Sequence, residues 1–402
     1  MSGTETTGAL GRSTALDLFA GCGGMALGFE QAGFDVLAAV DNDPIPLAAH
    51  AHNFPLCESL VADVAKLSAA EALAVAAAGW RRRNGALPFP GLDLVFGGPS
   101  CQGFSVIGRR DPSDPRNRLI GQFARLVVEL APRWFALENV PGLLAPAHRR
   151  GLEGFYEQLA DGGYEIAPPM LLDAADYRVP QERHRVFIVG AREGEPLPAV
   201  PTPAVPRVTV SEALDDLPPI SRFPSLLDCD QLPLAPAALA AQSARQSAWV
   251  RVLNGFEVDP TNLADPRHWD PALLSGLART AHTPAVRARF QRLAPGRRDP
   301  IAQFDRLRAE VQAPTLRAGT GSDRGRHTSA RPVHHRSPRV ICVREAARLH
   351  SLPDWFQLHH TKWHGLRQVG NSVPPYLARA VAGEIVSAAG TQPARRARAC
   401  SR

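Results

Sequence analysis

Cys101 lies in GGPSCQGFS (97–105), directly after LDLVF (92–96), an apolar run that reads as a buried strand. Free cysteines are usually small buried hydrophobes, and that reading suits Cys22, Cys57 and Cys342. It does not suit Cys101, whose neighbours are turn-forming and polar. Further groups capable of chemistry follow other apolar runs. Glu138 closes RWFALE (133–138) and opens the tripeptide ENV. In QERHR (181–185), Gln181, Arg183 and Arg185 occupy alternate positions leading into RVFIVG (185–190), which in an extended chain puts all three on one face. Taken singly, Glu138 could be a helix cap or an ion-pair residue, and the arginines an ordinary charged strand edge.

A cradle for a second reactant stands near the N-terminus. ALDLFAGCGGMALGFEQAG reads as strand, glycine-rich turn and helix, and Gly21, Gly23 and Ala26 spell GxGxxA. Such glycines let backbone approach a ligand closely, and the helix start offers unpaired N–H groups. Twenty residues after Gly21, Asp41 ends the next apolar run, where a carboxylate can bind ribose hydroxyls. A nicotinamide enzyme, an adenosyl-methionine enzyme and a merely tight turn all satisfy this pattern.

The elements that position these residues alternate. Strands are expected at 15–20, 35–40, 92–96, 133–138 and 185–190, with helices at 25–32, 46–52 and 121–131, the signature of a parallel sheet with crossover helices. After Arg192 the texture changes to EGEPLPAVPTPAVPRV, a proline-rich connection. From there to about Arg339 no sheet periodicity emerges, only helical pieces such as 283–293. Helices return at 343–352 and 374–389, and the last dozen residues are basic. The expected organisation is a catalytic part at 13–193, an inserted domain with linkers at 194–337, a C-terminal return at 338–390 and a tail at 391–402.

At 402 residues, 45% hydrophobic and 21% charged, the chain can bury a sizeable core. It has no apolar run of membrane-spanning length and no signal-like N-terminus, so the cytoplasm is the expected location, without membrane contact. Six cysteines without CxxC spacing argue against a zinc site and a disulfide framework. The formal net charge of +6 is modest. A denser basic strip runs from Arg317 to Arg339, with six arginines and three histidines against the single acid Asp323. Such density is typical of a phosphate-contacting surface, a solvated loop being the alternative.

Taken in order, DLFAGCGG, Asp41, the Cys101 segment, ENV, QERHR and QVGNSVPP (368–375) resemble the DNA (cytosine-5)-methyltransferase family, over roughly 13–192 and 312–388. The resemblance implies a Rossmann-like α/β domain that uses S-adenosylmethionine, with a smaller inserted target-recognition domain. It implies cofactor contacts from Asp17, Phe19, Gly21, Gly23, Gly24, Asp41, Asp63, Pro99, Asn371, Ser372 and Val373, with Phe19 on adenine, Asp41 on ribose and Asp63 at the adenine amino group. It makes Cys101 the nucleophile that adds to cytosine C6, because C5 is too weak a nucleophile until that addition turns it into an enamine carbon. Glu138 would then protonate N3, Arg185 orient Glu138 and touch the base carbonyl, and Arg183 sit nearer the backbone. The ring atoms are out of reach inside a duplex, so the base must be flipped out. Contacts to double-stranded DNA are expected from Gln102, Ser105, Arg109, Arg116, Gln181, Arg324, Arg326 and Arg331. Residues 106–118 read as a mobile loop closing over the flipped base. A monomer, nucleoid-associated, is expected, with room for a separately encoded restriction endonuclease as partner; no metal is implied. Three positions depart from the family pattern: Ser100 replaces the proline before the nucleophile, Arg178 the glycine of a DYGVPQ segment, and Asn42 a bulky apolar residue. Rival readings are a transfer-RNA methylase, a silent DNA-binding relative and a nicotinamide oxidoreductase, the last of which leaves ENV and QERHR unexplained.

Overall fold

Strands β1 (Thr14–Leu18), β2 (Asp35–Asp41), β3 (Glu58–Val61), β4 (Leu94–Gly97) and β5 (Trp134–Asn139) form the parallel half of one eight-stranded sheet. The computed structural model describes residues 12–99, 119–319 and 331–390. The connecting helices are α1 (Gly24–Ala32), α2 (Pro44–Asn53), α3 (Ala69–Asn84) and α4 (Leu119–Leu130), with α5 (Arg149–Asp161) following β5. Asp43 caps α2 by accepting from the Ile45 N–H at 3.0 Å, and a Ser68–Glu71 capping box starts α3.

The sheet is not parallel throughout, as the alternation of runs predicts. After α5 the chain adds β6 (Tyr164–Ile166) and β7 (Met170–Asp173), turns, and returns as β8 (His184–Arg192) antiparallel to β5. A turn rather than a crossover helix joins β7 to β8, so the returning strand must run antiparallel. The order is β3-β2-β1-β4-β5-β8-β6, with β7 also on β8. This reversal brings the head of β8 beside the end of β5, pairing Asn139 with Val186.

Apolar side chains cover both faces of the sheet. On one, Phe29 of α1 stacks on Phe96 of β4 with centroids 4.2 Å apart; on the other, Phe123 of α4 and Phe155 of α5 meet the Phe135 ring edge-on. The region after β8 contains α6 (Val210–Leu214), α7 (Pro236–Ser243), α8 (Ala248–Leu253) and α9 (Pro284–Arg292). It is followed by α10 (Val343–Arg348), α11 (Lys362–Asn371) and α12 (Pro375–Ala388), with α12 packed along α1. The helix expected at 343–352 stops at Arg348, and Ser351 takes a left-handed φ of 57°.

Part of the inserted region packs into the main core. Leu214, Trp249, Leu253, Leu274 and Leu277 share the apolar core that contains α1 and α12. A strap around residues 259–267 is pinned to the catalytic part by buried charges. Asp265 pairs with Arg12 at 3.3 Å and with Arg83, and Arg267 with Glu30 at 2.6 Å. Asp259 meets Arg379 of α12 at 2.6 Å. A second, smaller cluster joins Phe290 of α9 with Val333 and Val340. Among the described residues no helix is long and apolar enough to cross a membrane.

Candidate active site

Glu138 is the last residue but one of β5, at the carboxyl edge of the sheet, and is 9% exposed. Its Oε1 lies 2.8 Å from Arg185 Nε, which β8 delivers from the neighbouring strand. Its Oε2 rests against Gly98, where an added Cβ would stand 2.7 Å away. The second glycine of GGP thus makes room for the carboxylate. Burial pushes the Glu138 carboxyl up from the ordinary glutamate range, opposed by the nearby charges of Arg185 and Arg183.

Asn139 holds the segment that leads to the nucleophile. Its side-chain amide is buried and donates from Nδ2 to the Pro99 carbonyl at 3.2 Å. Pro99 is the last described residue before a gap, so Ser100, Cys101, Gln102, Ser105, Arg109 and Arg116 lie outside the described residues, as do Arg324 and Arg326. The other cysteines expected to be inert are buried. Burial raises the Cys22 thiol to about 12 and lifts those of Cys57 and Cys342 as well, leaving all three protonated at neutral pH.

Gln181 differs from expectation, and Arg183 is more deeply buried than its place beside Arg185 suggests. Neither shares a solvent-facing surface with Arg185, because the loops near 316 and 370 pack over them. Arg183 is 1% exposed and donates to the carbonyls of Leu316 at 2.8 Å, Gly370 at 2.7 Å and Ser372 at 2.9 Å. Its guanidinium group holds three stretches of main chain together. Gln181, expected on DNA, is fully buried: Nε2 donates to the Leu349 carbonyl at 3.1 Å and Oε1 accepts from Leu316 N–H at 2.9 Å. Sequence reasoning overlooked His350, which completes this network. Its Nε2 faces the Ser372 carbonyl at 2.9 Å, so it must donate there, leaving Nδ1 to accept from Gln181 at 3.1 Å. Burial holds the His350 pKa well below the usual histidine value, consistent with this neutral tautomer.

The cofactor candidates converge at the first turn. Gly23 takes a left-handed φ of 94° and leaves the start of α1 without a side-chain cap or a first-turn acid. A Cβ on Gly24 would lie 1.8 Å from Ser372 Oγ, so only glycine permits the 371–373 segment to close on this turn. Asp41 accepts from the N–H groups of Gly21 and Asp43, both at 2.8 Å. Asp17 is 1% exposed, its Oδ2 has no partner, and burial together with Asp41 raises its pKa well above the ordinary range. An uncapped helix start, open space at Gly21 and a partnerless buried acceptor suit a ligand carrying both donors and negative charge. Phe19, at a left-handed φ of 63°, and the exposed Asp63 border the same strand ends. Val373 is buried, Asn371 exposed.

Two departures can be placed. Arg178 keeps the left-handed turn that glycine would adopt, at φ 62°, with its carbonyl accepting from Trp249 Nε1 at 2.9 Å and its side chain exposed. Asn42 is exposed beside Asp41. Arg331 is half-buried, and desolvation lowers its pKa.

The sheet, the glycine turn and the carboxylate–guanidinium pair at the strand ends define a Rossmann-like methyltransferase. The profile of the C-5 cytosine-specific DNA methylases matches residues 13–387, and the chain belongs to that family. Over 95% of its length it is 47% identical to the Type II methyltransferase M.XorII of Xanthomonas oryzae pv. oryzae, covering 86% of that protein. Over 92% of its length it is 30% identical to the Type II methyltransferase M.AgeI of Thalassovita gelatinovora, covering 98% of it. A crystal structure of an E. coli prophage-encoded protein, described as a DNA modification methyltransferase, superposes with a TM-score of 0.74 at 31% identity, over 94% of this chain and all of that one. The chain is a DNA (cytosine-5-)-methyltransferase with relatives in Type II restriction–modification. Family and fold together imply use of S-adenosylmethionine.

Proposed function

We propose that Cys101 is the nucleophile and Glu138 the proton donor of a reaction on a cytosine flipped out of double-stranded DNA. The observation that carries this is the buried Glu138–Arg185 pair, set against Gly98 three residues before Cys101. The Cys101 thiolate adds to C6, and the electron pair displaced from the C5–C6 bond runs toward N3, which Glu138 protonates. Arg185 holds Glu138 in place and faces the base carbonyl. S-adenosylmethionine, when bound, supplies an electrophilic methyl group to C5. Loss of the C5 proton then re-forms the double bond as the Cys101 sulfur leaves.

Asp17, Phe19, Gly21, Gly23, Gly24, Asp41, Asp63, Pro99, Asn371, Ser372 and Val373 are the residues proposed to line the cofactor site. Arg183 acts one step back, holding Gly370 and Ser372 against the first turn. Gln102, Ser105, Arg109 and Arg116 are proposed on the DNA, as are Arg324, Arg326 and Arg331. The enzyme is read as a cytoplasmic, nucleoid-associated monomer that protects DNA from a separately encoded endonuclease.

Bisulfite sequencing of DNA from an expressing host gives the methylated sequence. A duplex carrying 5-fluorocytosine at that position should then trap the wild type covalently, since fluorine cannot leave as a proton does. Cys101→Ser should bind the duplex but form no adduct, because a hydroxyl is scarcely ionised at neutral pH. An adduct from the serine variant would remove Cys101 from the reaction.

A further inference from the structure

Charge is divided sharply within the insertion. Residues 194–280 carry six arginines and ten acids, a net −4, whereas residues 281–340 carry 13 arginines and four acids, a net +9. The second figure exceeds the +6 of the entire chain.

The two halves also use their charges differently. In the first, Asp216 meets the buried Arg348, Asp259 meets Arg379, and Asp265 meets Arg12 and Arg83, all on the catalytic part. Those acids fasten the segment whose apolar side chains already share the main core. The second half reaches the main core through Leu307, Ala313 and Leu316 but also has a small core of its own, in which α9 packs Val286, Phe290 and Leu293 against Phe304, Val333 and Val340. Four of its arginines are neutralised, Arg289 by Asp299 at 2.6 Å, Arg298 by Asp305 at 2.9 Å, Arg339 by Glu345 at 2.6 Å and Arg336 by Asp215. Arg306 is buried on backbone carbonyls. Arg287, Arg292, Arg297 and Arg308 remain exposed, with no acidic partner among the described residues. By helical spacing, Arg292 lies across α9 from Phe290, while Arg287 flanks the apolar side and is exposed beside it. Midway along, this segment is fastened to the chain just ahead of β8, where Glu182 N–H donates to the Ala313 carbonyl at 2.8 Å and Arg183 to that of Leu316.

We infer that residues 281–340 alone are the DNA-holding half of the insertion, gripping duplex phosphates through Arg287, Arg292, Arg297 and Arg308, while residues 194–280 are a scaffold docked on the catalytic part. The inference rests on the DNA-methylating reading and divides it between two pieces of chain. An acidic scaffold repels a polyanion, and four unpaired guanidinium groups attract one. Because the basic module is anchored beside Arg183, a duplex held there lies next to the pocket.

The test is binding of a fluorescein-labelled duplex, bearing the methylated sequence, over a range of salt concentrations. The variant R287Q/R292Q/R297Q/R308Q changes exposed groups only. Its plot of log affinity against log salt should flatten by about 0.9 for each phosphate no longer neutralised, and KM for the duplex should rise at least tenfold with cofactor affinity unchanged. Arg222→Gln, at an exposed site on the acidic half, should leave slope and KM as they are. An unaltered slope in the fourfold variant, or an equal loss from Arg222→Gln, would overturn the division. A wild type that binds the duplex with a steep salt slope but never methylates it would instead sink the catalytic reading and leave this one standing.

Discussion

A carboxyl that must hand a proton to a ring nitrogen has to hold one near neutral pH, and burial gives Glu138 that bias. Its pKa is raised on folding, so the stability tied to its protonated form is present below the ordinary glutamate value and lost as pH rises through the elevated one. Arg185 prevents a larger shift and keeps the group aimed. Glu138→Gln keeps the shape and removes the proton, so adduct formation on 5-fluorocytosine DNA should slow by roughly 10²–10⁴. The decline of that rate with rising pH should vanish too; a variant with the wild-type pH profile would show that Glu138 is not the donor. The pairing of Glu138 with Arg185 was legible only through the family resemblance that ENV and QERHR help to carry; taken singly, each residue read as an ordinary cap or strand-edge charge. Gln181 was misjudged, and the burial of Arg183 unforeseen, because alternation reveals a face but not what covers it. Their covers come from residues near 316 and 370, far along the chain.

At the scale of elements, α4 links the nucleophile segment to the cofactor side. Arg125 on this helix donates to the carbonyls of Val64 at 3.2 Å and Leu67 at 2.8 Å, bracing the loop that follows Asp63. Gln122 and Glu129, one turn to either side, hold the guanidinium in place at 2.9 Å each. Arg125→Gln should therefore weaken S-adenosylmethionine binding several-fold, with duplex affinity unchanged, and Arg125→Lys should recover part of it. Calorimetry on the purified protein reads this directly, and equal cofactor affinity in all three forms would refute the bracing role. Apolar strands and α4 were legible because periodicity marks them. Helix α3 was not: its sheet-facing residues are Ala72, Ala76 and Gly79, too small to stand out in an alanine-rich stretch. The reversed β8 was missed as well, since an apolar run carries no direction.

For the molecule as a whole, buried arginines join pieces that the sequence keeps far apart. Arg339 pairs with Glu345 at 2.6 Å where the basic module returns to α10. That contact holds the Glu345 carboxyl down at about 2, despite full burial. The linked stability is fully present above the ordinary value near ~4.3 and is lost as pH falls through about 2. The span corresponds to roughly 3 kcal/mol. Denaturant midpoints measured across that window should drop for the wild type and much less for Glu345→Gln; parallel curves would mean that the pair contributes nothing. The packing of α12 on α1 sets something else, a schedule. All nine residues of α1 are buried, and Leu377, Ala378, Val381 and Ile385 belong to the core around them. A ribosome adding ~5–20 residues per second needs on the order of tens of seconds to travel from one helix to the other. Through that interval the side of α1 that meets α12 lacks its cover, so the methyl-transferring fold closes only after residues 375–388 have been made.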